Sequence, residues 1–207
     1  MLTKPGAIEP GVSFVAALIG GVPGLILFLS MLYLAPSLGL PLVDIPRILG
    51  GIVAPNPDVA FWIGVAGFLP FSLLVTPGLL VFLWTYLPGR NVGFPGAAIK
   101  GALWSIALWV IEGFLLGIGG ALSRIPGPER PPAGLFGLNA GLAAPVWLLV
   151  AHLVYGVATA LVAAMTQGVS PINALGWRDI VHADVRPVML EREGVDIPED
   201  AIARGMP

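Results

Sequence analysis

Four long stretches of this sequence are almost free of charged residues, and this pattern strongly limits the folds open to the chain. The stretches are residues 10–43, 59–89, 101–123 and 131–177, and they contain a single formal charge, Glu112. Each is longer than the about 20 residues that a helix needs to cross a bilayer core about 30 Å thick. Continuous apolarity, with no one-sided stripe, is typical of helices that face lipid and one another.

We therefore predict an all-α integral membrane fold, a four-transmembrane-helix bundle with spans at 12–36, 59–86, 97–123 and 140–167. The composition agrees, since 57% of the 207 residues are hydrophobic and 11% are charged, against about 25% charged in soluble domains. The aromatic rings of Trp84, Tyr86 and Trp104 lie near predicted span ends, where we expect them at the membrane interface.

The transmembrane domain is predicted to cover residues 1–167 and to be followed by an extramembrane C-terminal tail, 168–207. The first long connection, 37–58, carries Asp44 and Pro46 ahead of an apolar stretch. This pattern predicts a short helix in the interface. A loop buried against a partner is the alternative.

Positive charges near the span ends predict the orientation in the cell membrane. Five lie on the side of the termini and three on the opposite side: Lys4, Arg90, Lys100, Arg178 and Arg186 against Arg47, Arg124 and Arg130. This difference favours a multi-pass protein with cytoplasmic termini. The net charge of −2 offers no electrostatic footprint for nucleic acid.

Small residues recur at helical spacing in three of the spans. Gly20 and Gly24, Gly113 and Gly117, and Gly156 with its small neighbours each form a face that permits close helix contact. Such faces indicate either a compact bundle or a docking surface for other membrane-protein subunits, and the sequence leaves both open.

Two ionisable residues fall near the middle of spans, Glu112 in the third and His152 in the fourth. A charge at mid-bilayer costs on the order of 3 kcal/mol, so neither is expected to face lipid. We predict that the two meet inside the bundle and share a proton or a hydrogen bond, with Tyr155 or Thr76 nearby. The pair is either a polar latch between helices or a functional site, such as a quinone-headgroup site or a proton relay.

No catalytic motif, metal-ligand cluster or phosphate loop is recognisable, and cysteine is absent. No cofactor is predicted, although lipid or quinone binding stays open. Haem in a membrane bundle usually takes two axial ligands, and the only other histidine, His182, lies in the predicted tail. We therefore expect a protein that is not an enzyme.

Several short motifs resemble those of an uncharacterised family of small prokaryotic four-helix membrane proteins, some encoded near haem–copper oxidases. The motifs are Leu69-Pro70-Phe71, residues 84–89, Lys100-Gly101, Trp104, Trp109 and residues 151–156. The resemblance spans residues 12–167. It implies an accessory role in a respiratory or other membrane complex, and it makes His152 and Tyr155 part of a recurring feature.

Three functions are consistent with these observations. The first is a non-catalytic accessory subunit of a larger membrane complex, respiratory or electron-transferring, that packs its small-residue faces against other subunits and lipids. The second is a small homo-oligomeric transporter or channel, since proline-broken helices often form substrate sites. The third is a quinone- or haem-binding redox subunit that uses His152 and Glu112.

Overall fold

The computed structural model describes residues 12–89 and 93–167, and every regular element within those ranges is helical. The helices are α1 (Phe14–Leu34), α2 (Ile45–Gly50), α3 (Pro57–Pro70), α4 (Thr76–Leu83), α5 (Phe94–Leu122) and α6 (Ala143–Thr166). A π-helical turn, Phe71–Val75, joins α3 to α4, and a 3-10 turn, Ala35–Leu38, extends α1. The predicted tail, 168–207, lies outside the described residues.

Four helical segments are long and apolar enough to cross a membrane. They are Phe14–Leu38, Pro57–Leu83, Phe94–Leu122 and Ala143–Thr166, and they coincide with the four predicted spans to within a few residues. α6 lies between α1 and α5 and packs against both along most of its length. The described part of the chain is thus an all-helical bundle built around α6.

The glycine faces of α1 and α6 are used within the bundle. A Cβ on Gly20 would overlap the carbonyl oxygen of Thr159, and one on Gly24 would lie 2.8 Å from the carbonyl oxygen of Tyr155. On the other side of α6, Gly156 faces Gly101 of α5 so closely that a Cβ on either would overlap the carbonyl oxygen of the other. These glycines therefore set the distances of α1 and α5 from α6.

The third glycine face packs against a 3-10 turn of the same chain, Leu135–Ala140. Gly113 and Gly117 of α5 meet the side chains of Phe136 and Leu135, in the connection between α5 and α6. The ring of Phe136 also lies 4.7 Å from that of Trp109. The docking-surface interpretation of the small-residue faces is therefore wrong, because all three faces are already covered by the chain itself.

The predicted short helix in the first long connection is present as α2. Asp44 caps it by accepting a hydrogen bond from the Arg47 amide at 3.1 Å. α2 is not a surface helix: Ile45 and Ile48 are buried, and the helix packs against α3 and α5. The contact with α3 is very close, because a Cβ on Gly64 would overlap the carbonyl oxygen of Pro46.

Two of the predicted interface aromatics are instead interior residues. Trp84 is 1% exposed and Trp104 is 4% exposed, whereas Tyr86 is 76% exposed. The Lys100 side chain is fully buried beside Trp84, and its ammonium donates hydrogen bonds to the carbonyl oxygens of Trp84 (2.7 Å) and Leu87 (2.5 Å). Lys100 therefore stabilises the C-terminal end of α4 and the turn that follows it, where a cation is electrostatically favoured.

Candidate functional site

Glu112 and His152 meet in the interior of the bundle, as predicted. Nε2 of His152 lies 3.0 Å from Oε2 of Glu112, and each residue is within about one or two turns of its helix midpoint. The imidazole is almost fully buried, whereas the Glu112 side chain is 15% exposed. The carboxyl group thus links a buried imidazole to a more open region.

The backbone fixes the protonation of the imidazole on one side. Nδ1 of His152 lies 2.7 Å from the carbonyl oxygen of Leu148. A carbonyl oxygen only accepts hydrogen bonds, so Nδ1 carries a proton. Nε2 then either accepts a hydrogen bond from a protonated Glu112 carboxyl group or, in an imidazolium, donates a hydrogen bond to the carboxylate. In both forms the pair shares one proton and has no net charge.

The surroundings of the pair are tightly packed. The Phe28 ring meets the imidazole edge-on, with 4.9 Å between the ring centres, and also stacks with Phe68. A cavity of about 10 Å³ lies between the pair and Tyr155, which is about the space of one water molecule. The buried side of the site therefore has room for about one water molecule and for no larger ligand.

Tyr155 belongs to a neighbouring set of hydrogen bonds, at the π-helical turn. In that turn the carbonyl of Ser72 would pair with the amide five residues later, but residue 77 is a proline and has no N–H. The hydroxyl of Tyr155 lies 2.7 Å from the Ser72 carbonyl oxygen and that of Thr76 lies 2.8 Å from it. The two hydroxyls are also in contact with each other.

We expect Tyr155→Phe to lower the free energy of unfolding by about 1–2 kcal/mol, because the Ser72 carbonyl loses one of its two partners. Detergent unfolding in mixed micelles, followed by tryptophan fluorescence, measures this. The double variant with Thr76→Val should lose clearly more than Tyr155→Phe alone. Equal stability of wild type and both variants would show that the hydroxyls do not hold the turn.

On its other side, Glu112 lines an apolar groove between α2, α3 and α5. The groove has a volume of about 330 Å³ and is lined mainly by side chains such as Leu49, Phe68 and Leu115. A Cβ on Gly67, in the groove wall, would meet no atom within 4 Å. Ile63, also in the wall, is 38% exposed, so the groove opens at the outer surface of the bundle. Among the described residues that line the groove, Glu112 alone is ionisable.

Hydrogen bonding and protonation can be separated at Glu112. We expect Glu112→Gln to unfold at nearly the same detergent concentration as wild type, because an amide N–H can donate to Nε2 of His152. Glu112→Ala should cost about 1–2 kcal/mol, because it leaves Nε2 of a buried ring without a partner. If alanine were tolerated as well as glutamine, the contact would contribute nothing to stability.

Metal binding has little support in the described ranges, where no group of three His, Cys, Asp or Glu side chains is placed to hold an ion. Both ring nitrogens of His152 are engaged in hydrogen bonds within the chain. Ligation of a haem iron by this residue would require one of them to break.

Some parts of the site were not predicted. The groove was missed, because α2 supplies part of its wall and only the tertiary fold brings α2 to Glu112. The role of Ser72 was missed as well. A signal for it was available, since Pro70 and Pro77 flank the turn and Thr76 directly precedes the second proline.

Comparison with known proteins identifies the chain only at the level of a family. Residues 12–173 match the model of DUF6789, a family of unknown function. Neither a curated protein nor a solved structure gives a significant match. Because the family match covers well over half of the sequence, the chain belongs to the DUF6789 family.

Proposed function

We propose that the protein is a multi-pass protein of the cell membrane, with cytoplasmic termini, that acts as a non-catalytic subunit of a larger membrane complex. Within that subunit, the Glu112–His152 site binds a lipid-soluble molecule. The four long apolar helices support the membrane location, and the excess of positive charge near the termini supports the orientation.

One observation carries the binding function. The Glu112 carboxyl group forms a hydrogen bond with the buried His152 ring and also lines an apolar groove that opens to the outside of the bundle. An ionisable residue inside a membrane is costly and is therefore a candidate functional site. A latch between two helices would need only the hydrogen bond, whereas the groove supplies space for a ligand beside a polar group.

Transport by a single copy has less support. The cavity on the buried side of the pair is about 10 Å³, and the groove on the other side is lined almost entirely by apolar atoms. A polar substrate or an ion would have to lose its hydration without replacement contacts, which is strongly unfavourable. Haem binding is disfavoured because His152 uses both nitrogens in the chain.

Partner subunits pack on other faces of the bundle, since the glycine faces are covered within the chain. The sequence resemblance makes haem–copper oxidases and other electron-transferring complexes the first partners to examine.

Purification of the native protein in mild detergent, with mass spectrometry and a visible spectrum of the same fraction, tests the proposal. Stoichiometric recovery of other membrane subunits is expected. Recovery of the chain alone would contradict the subunit role.

A further inference from the structure

We infer that the groove between α2, α3 and α5 binds the ring of a quinol, with a phenolic hydroxyl of the ring donating a hydrogen bond to Glu112. This inference rests on the proposed binding function and names its ligand class. The groove volume of about 330 Å³ lies within the about 300–1,000 Å³ typical of small-molecule sites, and Glu112 is the polar group on which a ligand can be oriented.

The free oxygen of Glu112 has the same hydrogen-bonding character in both protonation forms of the pair. Oε2 of Glu112 is hydrogen-bonded to His152, so Oε1 is the oxygen that is left to form a hydrogen bond with a ligand. If Glu112 is a carboxylate, Oε1 accepts hydrogen bonds. If Glu112 is protonated on Oε2, toward the imidazole, Oε1 is a carbonyl oxygen and still accepts. The site thus presents an acceptor in both forms of the pair.

An acceptor of this kind selects donors. The hydroxyl of a quinol complements Oε1, whereas a quinone offers only acceptors and is disfavoured unless a further proton enters the site. Fatty-acid carboxylates and phospholipid phosphates are acceptor anions and would meet the oxygens of Glu112 unfavourably.

The shape and position of the groove favour a ring over an aliphatic alcohol. Phe68 and Phe71 are both in the wall, and aromatic side chains pack well against the face or edge of another ring. Phe71 is 37% exposed, so an apolar tail attached to the ring can leave the groove toward lipid. A sterol also has a hydroxyl donor, but its bulky fused rings match this lining less well.

The full-length protein in nanodiscs, titrated anaerobically with decylubiquinol, tests the inference through saturable quenching of tryptophan fluorescence above the background of empty nanodiscs. We expect decylubiquinol to bind about tenfold more tightly than decylubiquinone, the difference expected for one hydrogen bond. Cholesterol, oleate and phospholipid are the competitors.

Three variants locate the binding. Gly67→Leu fills the groove at a position where a Cβ meets nothing, so it should fold normally and lose saturable binding. Glu112→Met should weaken quinol binding about tenfold through the lost acceptor. Glu112→Gln should keep most of it, because its amide N–H faces His152 and its oxygen faces the ligand. Unchanged binding by Gly67→Leu would overturn the inference, as would equal affinity for quinol and quinone, or equally strong competition by cholesterol.

Lipid extraction separates this inference from the proposed function. Mass spectrometry of extracts from wild type and Gly67→Leu identifies molecules that depend on the groove. A quinol lost in the variant supports both proposals. A different lipid lost in the variant contradicts the quinol assignment and leaves the binding function standing, whereas identical extracts contradict both.

Discussion

Gly64→Leu is expected to lower the free energy of unfolding by about 3 kcal/mol, the upper end of the usual cost of overpacking a core. A Cβ at this position would overlap the carbonyl oxygen of Pro46, an atom of the α2 backbone. Backbone cannot rotate aside as a side chain can, so α2 and α3 must separate. Separation also opens the groove, whose wall both helices form.

Gly67→Leu is the matched control, because it introduces the same side chain on the same helix one turn later. A Cβ at residue 67 meets no atom within 4 Å, and replacement of a helical glycine is favourable by up to about 1 kcal/mol. Detergent unfolding in mixed micelles should therefore separate the two variants clearly. Equal stability of Gly64→Leu and Gly67→Leu would show that α2 does not pack on α3 at this distance.

Gly20→Leu is expected to have the next largest effect, again about 3 kcal/mol, through the contact between α1 and α6. The new side chain would overlap the backbone carbonyl of Thr159, in the helix that forms the centre of the bundle. α1 would have to shift outward, and the edge-on contact of Phe28 with His152 would be lost with it.

The control for this change is Ile19→Leu, at the neighbouring position on the outer face of α1. Ile19 is 49% exposed, so leucine there should leave stability within about 0.5 kcal/mol of wild type. Thermal unfolding monitored by size-exclusion chromatography in detergent is a second suitable measurement. A Gly20→Leu variant as stable as Ile19→Leu would contradict the close packing of α1 on α6.

The four helices and the contact of Glu112 with His152 follow from simple properties of the sequence. Charge-free stretches mark helices that can cross a membrane. Two polar residues at similar depth on successive antiparallel helices avoid lipid by meeting each other, and here they do. The same reasoning placed Tyr155 or Thr76 near the pair, and both residues line the small cavity beside it.

Other features could not be predicted because they depend on which surfaces meet in three dimensions. A glycine stripe permits close approach but does not identify the partner: Gly113 and Gly117 meet a short 3-10 turn in the connection between α5 and α6, and no long helix. Likewise, Trp84 lies at the end of α4, as interfacial residues do, and Trp104 lies well inside α5, yet the fold turns both inward. The groove requires α2, α3 and α5 together, and no local pattern indicates their proximity.

The shared proton of Glu112 and His152 is the central feature of this account, and nitrogen NMR of the two histidines tests it most directly. In ¹⁵N-histidine-labelled protein in lipid, with His182 assigned by His182→Gln, Nδ1 of His152 should carry a proton. The signal of Nε2 should report a strong hydrogen bond that changes in Glu112→Gln. A His152 ring protonated only on Nε2, or one whose signals are unchanged by Glu112→Gln, would contradict the account.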